Sequence, residues 1–476
     1  MRITEKTAPK KKPSRSRPAP DRPGPAGVES PQEALELLQR ACRRQKNIDA
    51  WEIYLEEEER LTIEAREGEV ESLISARVMG VAVRAVCRGR LGFSFSNDFS
   101  VKSLREAVVK ASEAARLMPP SPCPEFVKPP EVPWPDLDIA DPGLGRVPEK
   151  DKVRRAMEIE SSALALDPRV TRVRGAEYDE ATSRVWIVNS EGLKARAETT
   201  LVSAAAEVMA EHGKDAQSAS ELETVHYYDK LDVAKVGRQA ARQAVDLLGA
   251  RPMPATRCPV VFAPETAAGL ISVLAPAACG DAVTKGRSWL IAKKGRKIAS
   301  QAVTIVDDGL MTEGAGAFPF DDEGTASRRV VVVREGVLEN FLYDTYYGKI
   351  ARTGSTGNGL RPGYYFPPVV DTTNWALLPG GATQEELVSQ VDDGLLVVEL
   401  LGLHTADAVS GEFSVGAVGF RIKRGGLDGP VTGITIAGTL EEMLGRIEAV
   451  AANLKFSGEA GAPAILIGNM DISGPG

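Results

Sequence analysis

Period-two alternation of apolar and polar residues dominates the first half of the chain. Residues 51–55 and 61–66 alternate in this way, as half-buried strands do. Glu67-Gly68 reads as a turn into strands over 70–76 and 78–87, and 91–96 completes a meander. A helix precedes it. Ser30-Pro31-Gln32-Glu33 has the form of a capping box with proline at the first helical position, and Leu35, Leu37, Leu38 and Ala41 follow. A second helix, capped near Ser100, carries Leu104, Val108, Ala111 and Ala115 on one face. The order then returns: a helix over 150–166, strands near 170–178, 184–188, 193–197, 201–211 and 218–226, and a closing helix over 231–248. The pattern predicts a duplicated helix–β-meander–helix unit. The proline-rich stretch 119–148, with Pro119-Pro120 and Pro129-Pro130, is a linker or a surface-hugging loop between the copies.

Beyond Arg251-Pro252-Met253-Pro254 the pattern changes. A short apolar strand (259–263) runs into a small-residue helix expected over 265–279. A strand over 300–306 ends at Asp307-Asp308-Gly309, read as a turn. A hairpin around Glu335-Gly336 follows, then strands near 395–400, 418–423, 431–437 and 464–467. Thr383 and Thr439, each three residues before a glutamate, cap short helices. The predicted fold class is α+β. An N-terminal domain of two repeated units spans 30–250, and a mostly antiparallel β domain with a few helices spans 251–476. Residues 1–29 hold Lys10-Lys11-Lys12, Arg15, Arg17 and many prolines but little to bury, so a disordered tail is expected there.

The chain of 476 residues is long enough for two or three cores. A formal net charge of -8 argues against a general nucleic-acid surface. No apolar run approaches the roughly 20 residues that span a bilayer, and no signal peptide is visible. Five scattered cysteines with no CxxC pair fit a reducing cytoplasm.

Candidate chemistry is sparse. A zinc protease needs two imidazoles on one helical face, a third ligand and a glutamate that activates water. Only His212, His226 and His404 exist, and none has a histidine partner at helical spacing. His404 lies in a loop after a buried strand and before Ser410-Gly411-Glu412-Phe413. It serves either as a structural histidine or as a ligand contact. Asp321-Asp322-Glu323-Gly324-Thr325 either caps backbone N–H groups or attracts a cation or basic peptide. Thr356-Gly357-Asn358-Gly359 lacks the lysine of a phosphate-binding loop and reads as a shaped loop.

The order PVVFAPETAAG, VDDG, DDEGT, GVLENFLYD, STGN, SGEFSVGAVGF and PVTGITIAGTLEEML resembles the TldD/TldE (PmbA) family. That family forms zinc metalloprotease complexes that process peptides. In its zinc-bearing subunit the helix after the first strand carries His-Glu-x-x-x-His, and a cysteine near the C-terminus adds a ligand. Here Ser272, Val273 and Ala277 stand at the helix positions, and Phe456-Ser457-Gly458-Glu459 at the C-terminal one. The resemblance therefore implies a TldE/PmbA-type subunit with no cofactor or catalytic residue of its own, paired with a TldD-like sibling that holds zinc. It also implies a dimer enclosing a chamber for unfolded peptide, with roles in peptide maturation, antitoxin turnover and, by name, modulation of DNA gyrase. The lining candidates are Asp322 to Thr325, Thr356 to Gly359, and His404 with Ser410 to Phe413. A second reading is a non-catalytic homodimer that binds peptide or a partner such as gyrase. A third is a hydrolase using His404 and a serine such as Ser410.

Overall fold

The structure is a computed structural model that describes Val28 and residues 30–475. Apart from Val28, the tail expected over 1–29 lies outside the described residues.

Ser30 caps the first helix, α1 (Pro31–Arg44), by accepting the Glu33 N–H, with proline in its first turn. Strands β1 (Ala50–Arg66), β2 (Glu69–Cys87) and β3 (Arg90–Ser96) lead to α2 (Val101–Leu117). The order repeats as α3 (Glu149–Leu164), β4 (Val170–Asn189), β5 (Lys194–His212), β6 (Asp215–Val225) and α4 (Val233–Asp246). The two meanders share one antiparallel sheet in the order β3-β2-β1-β4-β5-β6. Their first strands, β1 and β4, pair with each other, so the halves meet about a local two-fold. One face of β1 carries Ile53 and Leu55 under α1 and α2, then Leu61 and Ile63 under α3 and α4.

The strands are fewer and longer than their alternation predicts. Residues 51–55 and 61–66 are one strand, as are 70–76 and 78–87, and likewise in the second unit. The glutamate run 56–59 breaks the sequence period but not the ladder. Cross-strand arginines neutralise it: Glu57 pairs with Arg77 and Arg184, and Glu59 with Arg184.

The second domain holds β7 (Thr256–Phe262), α5 (Pro264–Ser272), β8 (Ile305–Asp308), β9 (Arg329–Arg334), α6 (Thr345–Ala351), β10 (Trp375–Leu377) and β11 (Asp393–Leu401). Then come β12 (Glu412–Lys423), β13 (Gly426–Thr439), β14 (Lys455–Ser457), β15 (Ala460–Ala462) and β16 (Ile465–Ser473). One sheet runs β9-β8-β10-β15-β14, extended beyond β9 by Val337–Leu338. The other runs β16-β7-β11-β12-β13, and β13 pairs back to β16, closing five strands into a barrel. A large apolar core, including Phe262, Leu270, Trp375 and Ile436, fills the space between them.

Two expectations need correction here. The helix expected over 265–279 is α5 followed by two short turns, Ala275–Ala278 and Gly280–Thr284. Pro276 has no N–H to extend the first helix, and the Gly280 N–H turns away to the Leu342 carbonyl. The strand expected over 300–306 is Ile305–Asp308, so Asp307 and Asp308 are strand residues rather than a turn. Their carboxylates tolerate the position because distant side chains receive them, as described next.

Candidate functional site

The two glycine-bearing loops of the second domain come together. Asp321 accepts the N–H groups of Glu323 (3.0 Å), Thr325 (2.9 Å) and Gly359 (3.0 Å). The Asp322 N–H donates to the Gly359 carbonyl (2.9 Å). Gly324 adopts φ +88°, and its carbonyl accepts the Trp134 indole N–H (3.2 Å). Asn358 donates to Asp307 (2.6 Å) and to the Asp371 carbonyl (2.9 Å) and accepts the Thr356 hydroxyl (2.6 Å). Thr373 gives Asp307 two more hydrogen bonds. Glu323, Gly324, Gly357, Asn358 and Gly359 are buried, while Asp322, Thr325 and Thr356 are half-buried.

These loops form a joint with the first domain. Arg84 on β2 grips Glu52 on β1 with two hydrogen bonds (2.8 and 2.7 Å) and reaches Glu323 (2.9 Å). Arg361 bonds the same Glu52 (3.0 Å) and lies over the Tyr54 ring. The Tyr54 hydroxyl donates to Asp322. Burial pushes the Asp322 carboxyl up to about 6 despite Arg361, and burial likewise lifts Asp307 to about 6. Burial works against the Glu323 carboxylate too, yet Arg84 and the Thr345 N–H hold its pKa below the ordinary value. Such a closed set of partners fixes geometry and offers little to a ligand.

The His404 loop is placed elsewhere, against α5. A Cβ on Gly269 of α5 would meet Leu403 at 2.9 Å, so the turn rests on that helix. His404, Ser410 and Glu412 are exposed. Gly411 lies buried beside the Trp289 indole, and Phe413 is buried in the core. Ser410 donates to Asp407 (3.0 Å), and this argues against its pairing with His404 as nucleophile and base.

A cavity of about 390 Å³ opens where the six-stranded sheet meets the second domain. Sequence reasoning missed it, because its walls come from five separate segments. Glu177 on β4, Glu207 on β5 and Glu221 on β6 supply one side; Glu265 in the first turn of α5 and residues 455–457 of β14 supply the other. Lys455 Nζ sits 2.5 Å from both Glu221 and Glu265. α5 packs directly on β14 and β15. The helix and the C-terminal segment that the resemblance makes ligand-bearing in a zinc subunit are thus neighbours.

The residues present do not fit a zinc ion. The Ser272 hydroxyl donates to the Gly269 carbonyl (2.7 Å), while Val273 and Ala277 are apolar. Lys455 brings an ammonium, which has no lone pair to donate. His226 is buried with Nδ1 against the Thr200 carbonyl (2.8 Å), and His212 lies exposed at the end of β5. Among the described residues no three His, Cys, Asp or Glu side chains are grouped to hold a metal ion.

Three family models match the chain: PmbA/TldA metallopeptidase domain 1 over residues 51–115, the central domain over 142–248 and the C-terminal domain over 255–474. The metalloprotease PmbA of Escherichia coli O157:H7 is 26% identical over 439 residues, covering 90% of this chain and 92% of that protein. The crystal structure of TldE from Thermococcus kodakarensis has the same fold, with a TM-score of 0.85 at 24% identity over 92% of this chain and all of that one. A candidate modulator of a DNA gyrase from Thermotoga maritima has it too, with a TM-score of 0.85 at 24% identity over 93% of this chain and all of that one. The chain belongs to the PmbA/TldD metallopeptidase family.

Proposed function

We propose that this chain is the zinc-free, TldE/PmbA-like subunit of a two-subunit metallopeptidase. It lines a chamber in which a TldD-type sibling carries zinc and cuts unfolded peptide, in the cytoplasm. The observation that carries this reading is the meeting of α5 and β14. They lie side by side, where a zinc subunit would gather its ligands, yet α5 ends on Ser272, Val273 and Ala277 follow in its C-cap and the next short turn, and β14 supplies Lys455.

The chain's own residues supply shape, charge and a strand edge. Among the described residues β6 pairs only with β5, so its outer edge is open beside residues 455–457. An extended peptide gains backbone hydrogen bonds there whatever its side chains, which suits processing of varied sequences. Glu177, Glu207, Glu221 and Glu265 against Lys455 leave the cavity acidic, favouring basic peptide. The joint around Arg84 and Glu323 holds β1 and β2 rigidly on the second domain and so fixes the cavity walls.

The test is peptidase activity on an unfolded peptide, with the chain alone, the sibling alone and the two mixed. The reading expects an inert chain and an active mixture. Cleavage by the chain alone overturns it.

A further inference from the structure

The six-stranded sheet neutralises its glutamates on one face and leaves them against each other on the opposite face. Under the helices, on the face of Leu55 and Leu61, Glu57 and Glu59 meet Arg77 and Arg184. On the opposite face, Glu64 of β1 stands directly across from Glu177 of β4 in the antiparallel ladder. Like charges so placed repel. Neither forms an ion pair among the described residues, and the neighbouring Arg60 is bonded to Asp179 (2.8 Å). Burial, then Asp179, then Glu64 push the Glu177 carboxyl above its ordinary value. Glu207 of β5 shares this face, diagonal to Glu177, whose direct partner is Ala205. Glu177 and Glu207 are exposed, and they line the acidic cavity with Glu265. A cationic ligand there relieves a repulsion that the fold leaves in place.

The chain itself carries a matching cation. Residues 1–27 precede the described fold and hold eight lysines and arginines against Glu5 and Asp21, a net charge of +6 that leaves -14 on the rest of the chain. The cations concentrate in Lys10-Lys11-Lys12, Arg15 and Arg17. The Val28 N–H donates to the Phe99 carbonyl (3.0 Å), so this segment leaves the fold just beyond the end of β3. Ser96 at that end is level with Leu55 of β1, through Val81. From there to Glu177 is nine residues along β1 and three strand spacings across, a path of about 35 Å. Lys12 lies 16 residues before Val28 and reaches about 50 Å when extended. The surplus lets the segment round the end of the sheet.

We propose that the basic segment Lys10–Arg17 of this chain docks across the Glu64–Glu177 face and the mouth of the acidic cavity. The contact stands on charge and reach. Its consequence, a tail that competes with incoming basic peptide, rests on the reading of that cavity as a peptide site. Pro9, Pro13 and Pro18 break up the segment and have no N–H to give to a ladder along β6. The tail is therefore held by charge, and a peptide that pairs fully with the β6 edge displaces it.

The test uses the full chain without any sibling. Tryptic cuts after Lys10 to Arg17 are followed by intact mass at about 0.01 M salt, where the Debye length is about 30 Å. Glu64→Gln together with Glu177→Gln keeps the shape of the face and removes the opposed charges. This double variant is expected to be cut there at least tenfold faster than the wild type, and at about 1 M salt the difference is expected to vanish. Equal cutting of the two proteins at low salt overturns the docking, whether the segment is open in both or protected in both. With the sibling added, replacing Lys10, Lys11 and Lys12 by serine is expected to lower KM for a basic peptide several-fold. An unchanged KM in an active mixture overturns the competition. An inert mixture counts against the peptidase reading, whereas the protection result decides the docking by itself.

Discussion

Arg84 and Glu323 stand 239 positions apart in sequence and form a buried ion pair of 2.9 Å that ties the N-terminal sheet to the second domain. Glu52 closes the far side of Arg84, and Arg361 closes the far side of Glu52, so charges alternate through the joint. Removing one member strands its neighbours in a site that water does not reach. Arg84→Met is expected to cost about 3–5 kcal/mol in urea unfolding. Arg40→Ala breaks only an exposed pair with Glu36 and is expected to stay within about 0.5 kcal/mol.

Glu56 sits at the rim of the same joint and accepts the Tyr364 N–H (3.0 Å). Burial, then Asp322, then Glu58 push its carboxyl up to about 7 from an ordinary 4.5. The folded chain therefore holds this proton more tightly than the unfolded chain. The stability it contributes is fully present below about pH 4.5 and is lost as pH rises toward 7. Glu56→Gln keeps an acceptor for Tyr364 and removes the charge. Melting from pH 4 to pH 8 is expected to show the variant gaining on the wild type as pH rises, with no gain at pH 4.

Gly324 is required twice over, by a φ of +88° and by Leu193, which a Cβ would strike at 2.4 Å. Gly324→Ala is expected to cost about 2–4 kcal/mol, combining left-handed strain with overpacking. Gly68 has φ +75° but open space around it, so Gly68→Ala is expected to cost only the strain, about 1–2 kcal/mol. Chemical denaturation of the two variants checks the contrast.

The contrast between local and distant determinants also explains what the sequence shows and hides. Caps at Ser30, Ser100, Thr383 and Thr439 are local, and the structure has each of them. The repeated helix–meander–helix order is legible because alternation survives in most strands. The glutamate run in β1 hides the strand, because its neutralising arginines lie 20 and 127 residues away. Asp307 reads as a turn because Asn358 and Thr373, which receive its carboxylate, are 51 and 66 residues distant. Lys455 has no local signal at all. Its meaning comes from Glu221 on β6 and Glu265 on α5, 234 and 190 residues away.

That lysine yields a further expectation. The Glu221 side chain is 4% exposed, and Lys455 is the cation it meets in the cavity. Lys455→Met is expected to lower stability by about 1.5–3 kcal/mol through the lost charged hydrogen bonds. It is also expected to depress peptidase activity of the mixed subunits, because it alters the wall beside the open edge of β6. Parallel unfolding and activity measurements on the same preparation separate the two effects.

The most direct measurement is zinc stoichiometry by elemental analysis, on the purified chain alone and on its one-to-one complex with a histidine-bearing sibling. The account predicts no bound zinc in the chain alone and one zinc per complex, unchanged when Ser272 is replaced by alanine. One zinc held by the chain alone would contradict the assignment of α5 and β14 as a face without ligands.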